Sequence, residues 1–136
     1  MDAIKLFFSI ANKYLGFQYV WAGSCPETSF DCSGYICWVI NESGIFRTNR
    51  LTALEIYEQL CNNVDFSNIQ QGDFVFFRDT YKTNRVITHV GVYFTGDLIL
   101  HCGESNGVEY IHLTNSKLVQ KIYCIGRPIF FLNIDF

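Results

Sequence analysis

A chain of 136 residues, 49% apolar and 17% aromatic, can bury one core without staples, and it reads as a single domain over residues 1–136. Its formal charge of -3, with ten Lys and Arg scattered rather than clustered, excludes nucleic acid as the main partner, because phosphate binding needs a basic face. No run approaches the roughly 20 apolar residues of a membrane span.

Ile4, Phe7, Phe8, Ala11 and Leu15 recur on one face of a first helix, with Lys5, Asn12 and Lys13 largely off it. Asp2 precedes Lys5 and no small-residue cleavage site follows, so this is a core helix rather than a secretory signal, and synthesis in the cytoplasm is expected. Gly16 ends it. Ser24-Cys25-Pro26-Glu27-Thr28-Ser29 reads as a polar loop. Asp31-Cys32-Ser33-Gly34 then opens a second helix, with Ile36, Val39 and Ile40 at helical spacing, Asp31 as its N-cap and Gly44 as its left-handed C-cap. After a loop through Arg47 and Arg50, Thr52 and Glu55 form a capping box for a short third helix that faces Leu54, Tyr57 and Leu60 inward.

From residue 72 the period changes. Residues 73–77, 89–94, 98–101, 108–112 and 122–125 are β-branched or aromatic runs separated by Gly-Asp, Thr-Gly-Asp and Asn-Gly turns. Helices first, then a meander of about five antiparallel strands, is an α+β pattern with helices packed on one face of a sheet.

The six cysteines contain no C-x-x-C pair and no paired Cys/His ligand spacing, so neither a zinc site nor any other metal or cofactor is called for. A disulfide framework fits a cytoplasmic start poorly. Cys37, Cys61 and Cys124 lie in apolar patterns and read as small buried hydrophobes, while Cys25 and Cys102 lie near candidate catalytic positions. Cys32 differs from all five. In the first turn of a helix, unpaired N–H groups and the positive end of the dipole favour the thiolate, which is the nucleophilic form.

Such a nucleophile needs a base, and three histidines are available. His89 opens one strand and His101 ends the next; a hairpin about Gly96-Asp97 brings them near one end of adjacent strands, as base and orienter. The bland alternative makes Cys32 a buried helix residue and both histidines strand ends. His112, beside Glu109 and Thr114, reads as a solvated histidine on the sheet surface.

Phe17-Gln18-Tyr19-Val20-Trp21-Ala22-Gly23, Phe30-Asp31-Cys32-Ser33-Gly34, Gln71-Gly72-Asp73-Phe74-Val75-Phe76-Phe77, Thr88-His89-Val90-Gly91-Val92-Tyr93 and Leu98-Ile99-Leu100-His101 together resemble, in order, the motifs of the NlpC-type cysteine peptidases. These are papain-like bacterial cell-wall hydrolases. The resemblance spans residues 3–130. It implies a papain-like fold, Cys32 as nucleophile, His89 as general base, His101 as the residue that orients His89, and Tyr19 beside the oxyanion site. It also implies that Asp31 and Ser33 line the pocket for the amino end of a peptidoglycan stem peptide, cut between γ-linked D-glutamate and a diamino acid through a thioester. Asp31 acting only as a helix cap is the alternative. Two positions depart from the family pattern: Ala22 stands where glycine is usual, and Gln71 where proline is usual.

With no export signal in view, such an enzyme is expected to reach the wall by lysis, injection or a phage particle, or else to have another substrate. A thiol amidase or acyltransferase of the same broad fold, and a non-catalytic binding module, are the other two classes that fit the sequence.

Overall fold

The change of period at residue 72 separates a helical half from a sheet. The computed structural model describes residues 2–131 and contains three helices, α1 (Ala3–Ala11), α2 (Cys32–Ser43) and α3 (Ala53–Leu60). Asp2 caps α1 by accepting from the Lys5 amide at 2.8 Å. This helix buries Phe7, Phe8 and Ala11. A 3₁₀ turn over Asn12–Tyr14 and the positive φ of Gly16 then swing the chain away, leaving Leu15, expected on the same face, 46% exposed. α2 is enclosed on nearly every side, because it lies between α1, α3 and the sheet. In α3 the capping box of Thr52 and Glu55 forms in full. The inward face of α3 is Ala53, Ile56 and Leu60, with Leu54 and Tyr57 half-buried on its flanks rather than central.

Ser24–Cys25 (β1) and Ser29–Phe30 (β2) pair as a two-stranded hairpin within the segment expected to be a loop. The main sheet is antiparallel and has six strands rather than about five: β3 (Cys61–Val64), β4 (Phe74–Phe77), β5 (His89–Thr95), β6 (Leu98–Gly103), β7 (Gly107–His112) and β8 (Ile122–Pro128). Their spatial order is β3-β8-β4-β5-β6-β7. β4 to β7 form the expected meander. β8 instead crosses back to lie between β3 and β4, with Cys61 opposite Pro128 and Phe74 opposite Gly126. The extra strand carries Asn62 and Asn63, which have low strand propensity, so only its partner β8 makes it a strand.

The larger core lies between the helices and the face of the sheet bearing Phe74, Phe76, Val90, Val92, Leu100 and Cys102. On the opposite face Val75, Phe77, Ile99, Leu113 and Ile125 form a second, smaller cluster. Burial on both faces explains why residues 74–77 read as an unbroken apolar run. Asp73, 2% exposed, accepts two bonds from the Arg127 guanidinium, both at 2.9 Å, and ties the start of β4 to the end of β8. No helix among the described residues is long and apolar enough to cross a membrane.

Candidate active site

Cys32 is the first residue of α2, and the segment before it is held on both sides. The Val20 amide donates to the Phe30 carbonyl at 2.8 Å and the Asp31 amide to the Gly23 carbonyl at 2.9 Å, while Tyr19 bridges to Phe30. Gly34 packs against the Gly23 carbonyl so closely that a Cβ there would collide with it. The helix start is thereby fixed against Tyr19 through Gly23. Asp31 Oδ1 accepts from the Gly34 amide at 2.7 Å, so Asp31 is the helix cap. Its Oδ2 is paired with Arg50, whose Nη1 also donates to Ser33 Oγ at 2.7 Å. Both carboxylate oxygens of Asp31 and the Ser33 hydroxyl are therefore already engaged within the protein.

The register of β5 and β6 pairs Val92 with Leu100, which puts His101 one diagonal from His89 at the open end of the sheet. His89 Nε2 and His101 Nδ1 are 2.8 Å apart, with the two rings nearly perpendicular. His101 Nε2 in turn lies 3.0 Å from Glu109 Oε2. Gly103, two residues along β6, leaves room for the His101 ring, since a Cβ at position 103 would stand 2.7 Å from Cε1 and 3.1 Å from Nε2. With Nε2 of His89 turned to His101, Nδ1 is the nitrogen left for other work.

Electrostatics favour neutral groups in the resting site. Burial, followed by the nearby Asp31 charge, pushes the Cys32 thiol up to about 12, against the pull of the Val90 and Ser33 backbone N–H groups and of Arg50. The helix start alone favours a thiolate; enclosure by β5 and the Tyr19 segment outweighs it. Burial likewise drives His89 well below 6.5, with the His101 charge a smaller contribution in the same direction. For His101 burial lowers the value and the bond to Glu109 opposes it. Tyr19 is raised, by burial first and then by Cys32 and Asp31.

Two cavities meet at Tyr19, Cys32, Tyr81 and Thr88. One, of about 550 Å³, is lined by His89, His101, Glu104, Glu109, His112 and Lys121 among others. The other, of about 310 Å³, runs past Trp21, Asp31, Ser33, Arg50 and Arg85. Together they make one cleft, with Cys32 on the wall that its two parts share. Cys32, His89, His101 and Tyr19 thus share one wall. His112, expected on a solvated surface, is an exposed residue at the rim of the larger cavity, 3.7 Å from Asp97. Cys102 is buried against the Phe30 carbonyl, and Cys25 lies on the β1–β2 hairpin beside Thr28. No group of three or more His, Cys, Asp or Glu among the described residues is placed to hold a metal ion.

The NlpC/P60 family pattern matches residues 16–127. The chain belongs to the NlpC/P60 family. It is 35% identical over 127 residues to the bifunctional muramidase/DL-endopeptidase CwlT of Bacillus subtilis, covering 93% of this chain and 37% of that protein. It is 33% identical over 118 residues to the gamma-DL-glutamyl hydrolase of the same organism, covering 86% of this chain and 27% of the relative. A crystal structure of an NLP/P60-family protein from Staphylococcus aureus superposes with a TM-score of 0.81 at 32% identity, over 93% of this chain and 42% of the other. The chain therefore spans less than half the length of each of these NlpC/P60 relatives.

Two residues of this NlpC/P60 site were not singled out from sequence. In the sequence Glu109 stands out only as a polar neighbour of His112, although its alternation on β7 places it opposite His101 once the hairpin register is known. Arg50 lies in a loop, and no local pattern links it to Asp31, 19 positions away.

Proposed function

We propose that this chain is a cysteine peptidase that hydrolyses peptidoglycan stem peptides, at the bond between γ-linked D-glutamate and a diamino acid. The observation that carries the reading is the meeting of Cys32, at a helix start, with the hydrogen-bonded His89–His101 pair in one cleft. Relatives named DL-endopeptidase and gamma-DL-glutamyl hydrolase support the substrate class and bond.

In this mechanism His89 Nδ1 takes the thiol proton as the sulfur attacks the amide carbon, so charge is created only when substrate is in place. The oxyanion is stabilised by those first-turn N–H groups of α2 that the Asp31 cap leaves free, with Tyr19 beside them. The imidazolium, steadied through His101, protonates the leaving amine; the C–N bond breaks and a thioester with Cys32 remains. Water, deprotonated by His89, attacks the thioester, releasing the γ-carboxylate and restoring the thiol. Because Asp31 is already paired with Arg50, a free ammonium at the substrate's amino end meets a compensated carboxylate, and the cap is the role of Asp31 that its contacts support. The proposed place of action is the cell wall.

The test is digestion of purified sacculi with the recombinant chain, fragments being identified by mass. The expected products end in γ-linked D-glutamate on one side and begin with the diamino acid on the other. Cys32→Ala is expected to abolish them while leaving thermal unfolding nearly unchanged. Cleavage by the alanine variant, or products of another bond, would sink the reading.

A further inference from the structure

Glu109 stands directly opposite His101 in the β6–β7 register, so its carboxylate reaches the imidazole across the strands. Its Oε1 accepts from Asn106 Nδ2 at 3.4 Å, which leaves Oε2 for His101 Nε2 at 3.0 Å. The other nitrogen of His101 faces His89 Nε2 at 2.8 Å. Neutral imidazole has one donor and one acceptor nitrogen. Two such rings in series therefore have two hydrogen-bonded proton arrangements. In the first, His89 donates from Nε2 to His101 Nδ1 and His101 donates from Nε2 to Glu109, leaving a lone pair on His89 Nδ1. In the second, every proton is reversed: His101 donates from Nδ1 to His89, and His89 Nδ1 carries a proton and cannot accept the one on Cys32. That arrangement also aims the bare His101 Nε2 at a carboxylate, acceptor against acceptor at hydrogen-bond distance.

We propose that Glu109 is a positioning residue that selects the productive proton arrangement of the His89–His101 pair and so keeps His89 Nδ1 ready to accept a proton. Glu109 acts through His101 and touches neither the nucleophile nor the reacting carbonyl. A carboxylate only accepts, which is why its polarity propagates through both rings. An amide at position 101 would bring its own accepting carbonyl; a histidine has no fixed polarity and takes it from its neighbour. The inference rests on the proposed role of His89 as base.

The test needs readouts independent of peptide cleavage. Long-range proton–nitrogen spectra of the ¹⁵N-labelled chain report which ring nitrogen carries the proton. Both His89 and His101 are expected as Nε2–H in the parent. In Glu109→Ala, His101 should become a mixture containing Nδ1–H. Glu109→Gln, whose amide both accepts and donates, should fall between. Alkylation of Cys32 by iodoacetamide across about pH 5 to 9 should be about tenfold slower in the alanine variant, with the glutamine variant recovering several-fold. Matching thermal unfolding of the three proteins guards against a general loss of structure. Unchanged ring protonation with unchanged alkylation in Glu109→Ala would overturn the proposal. Shifted tautomers in a protein whose parent leaves sacculi intact would instead defeat the proposed substrate and leave the role of Glu109 standing.

Discussion

Ala22 has a φ of 63°, in the left-handed region where an L side chain crowds its own backbone. It sits between Trp21 and Gly23 on the wall of the smaller cavity, at the position where the family usually has glycine. The turn is retained because the Gly23 amide bonds the Val20 carbonyl at 2.9 Å and the Gly23 carbonyl receives the Asp31 amide, both of which require this backbone path. Ala22→Gly is expected to stabilise the protein by about 1 kcal/mol, the relief of strain exceeding the added freedom of the unfolded chain. Urea unfolding should show a higher midpoint with an unchanged slope. A lower midpoint would mean that the methyl group makes packing contacts worth more than the strain.

At the scale of elements, the turn after α1 is fastened to the end of α2 by Glu42. Its carboxylate receives Lys13, Tyr14 and, at 2.8 Å, the Trp38 indole N–H. Burial works to raise the Glu42 value, but these three donors outweigh it and hold it below 4.5. The unfolded chain therefore takes up this proton first as pH falls. The contribution of Glu42 is complete above pH 4.5, the ordinary value, and is lost as pH drops through the depressed folded value. Glu42→Gln should flatten that part of the stability curve and lower stability at neutral pH, as urea midpoints between about pH 3 and 7 would show. Lys13 is mostly exposed, so Lys13→Ala should have a much smaller effect.

At the scale of the whole molecule, Cys32, Cys37, Cys61, Cys102 and Cys124 are all raised above 9.0, burial being the first cause for each. Above that pH the unfolded chain releases protons that the folded one keeps, so stability falls as pH rises, with up to one proton per thiol in the slope. On the acid side His89 and His101 lie below 6.5, burial again leading. The unfolded chain then binds protons first, and stability falls as pH drops below 6.5. A plateau between pH 6.5 and 9.0 is expected, followed by a steep alkaline decline in the melting temperature. Cys124→Ala should make that decline shallower; an identical slope would mean that this thiol ionises equally well in both states.

The sequence by itself determined features whose partners lie three or four residues apart or alternate along a strand. Asp31 as a cap, the Thr52–Glu55 box, the left-handed Gly44 and five of the six strands of the main sheet follow from such local rules, and the ordered motifs identified the family. The pairing of His89 with His101 was legible as a hairpin across Gly96-Asp97, because a short turn leaves few registers. What only the tertiary structure decided involves groups far apart in the chain or a degree of enclosure. β3 is a strand because β8, whose Ile125 and Pro128 pair with Val64 and Cys61, returns from far along the chain to supply its hydrogen bonds, which Asn62 and Asn63 do not announce. Arg50 reaches Asp31 and Ser33 across a loop, turning an open acidic pocket into a compensated pair. Glu109 acquires its role only when β7 lies beside β6. The state of Cys32 was decided the same way: a helix start is a local property and favours the thiolate, whereas desolvation is the sum of all surrounding atoms and favours the thiol.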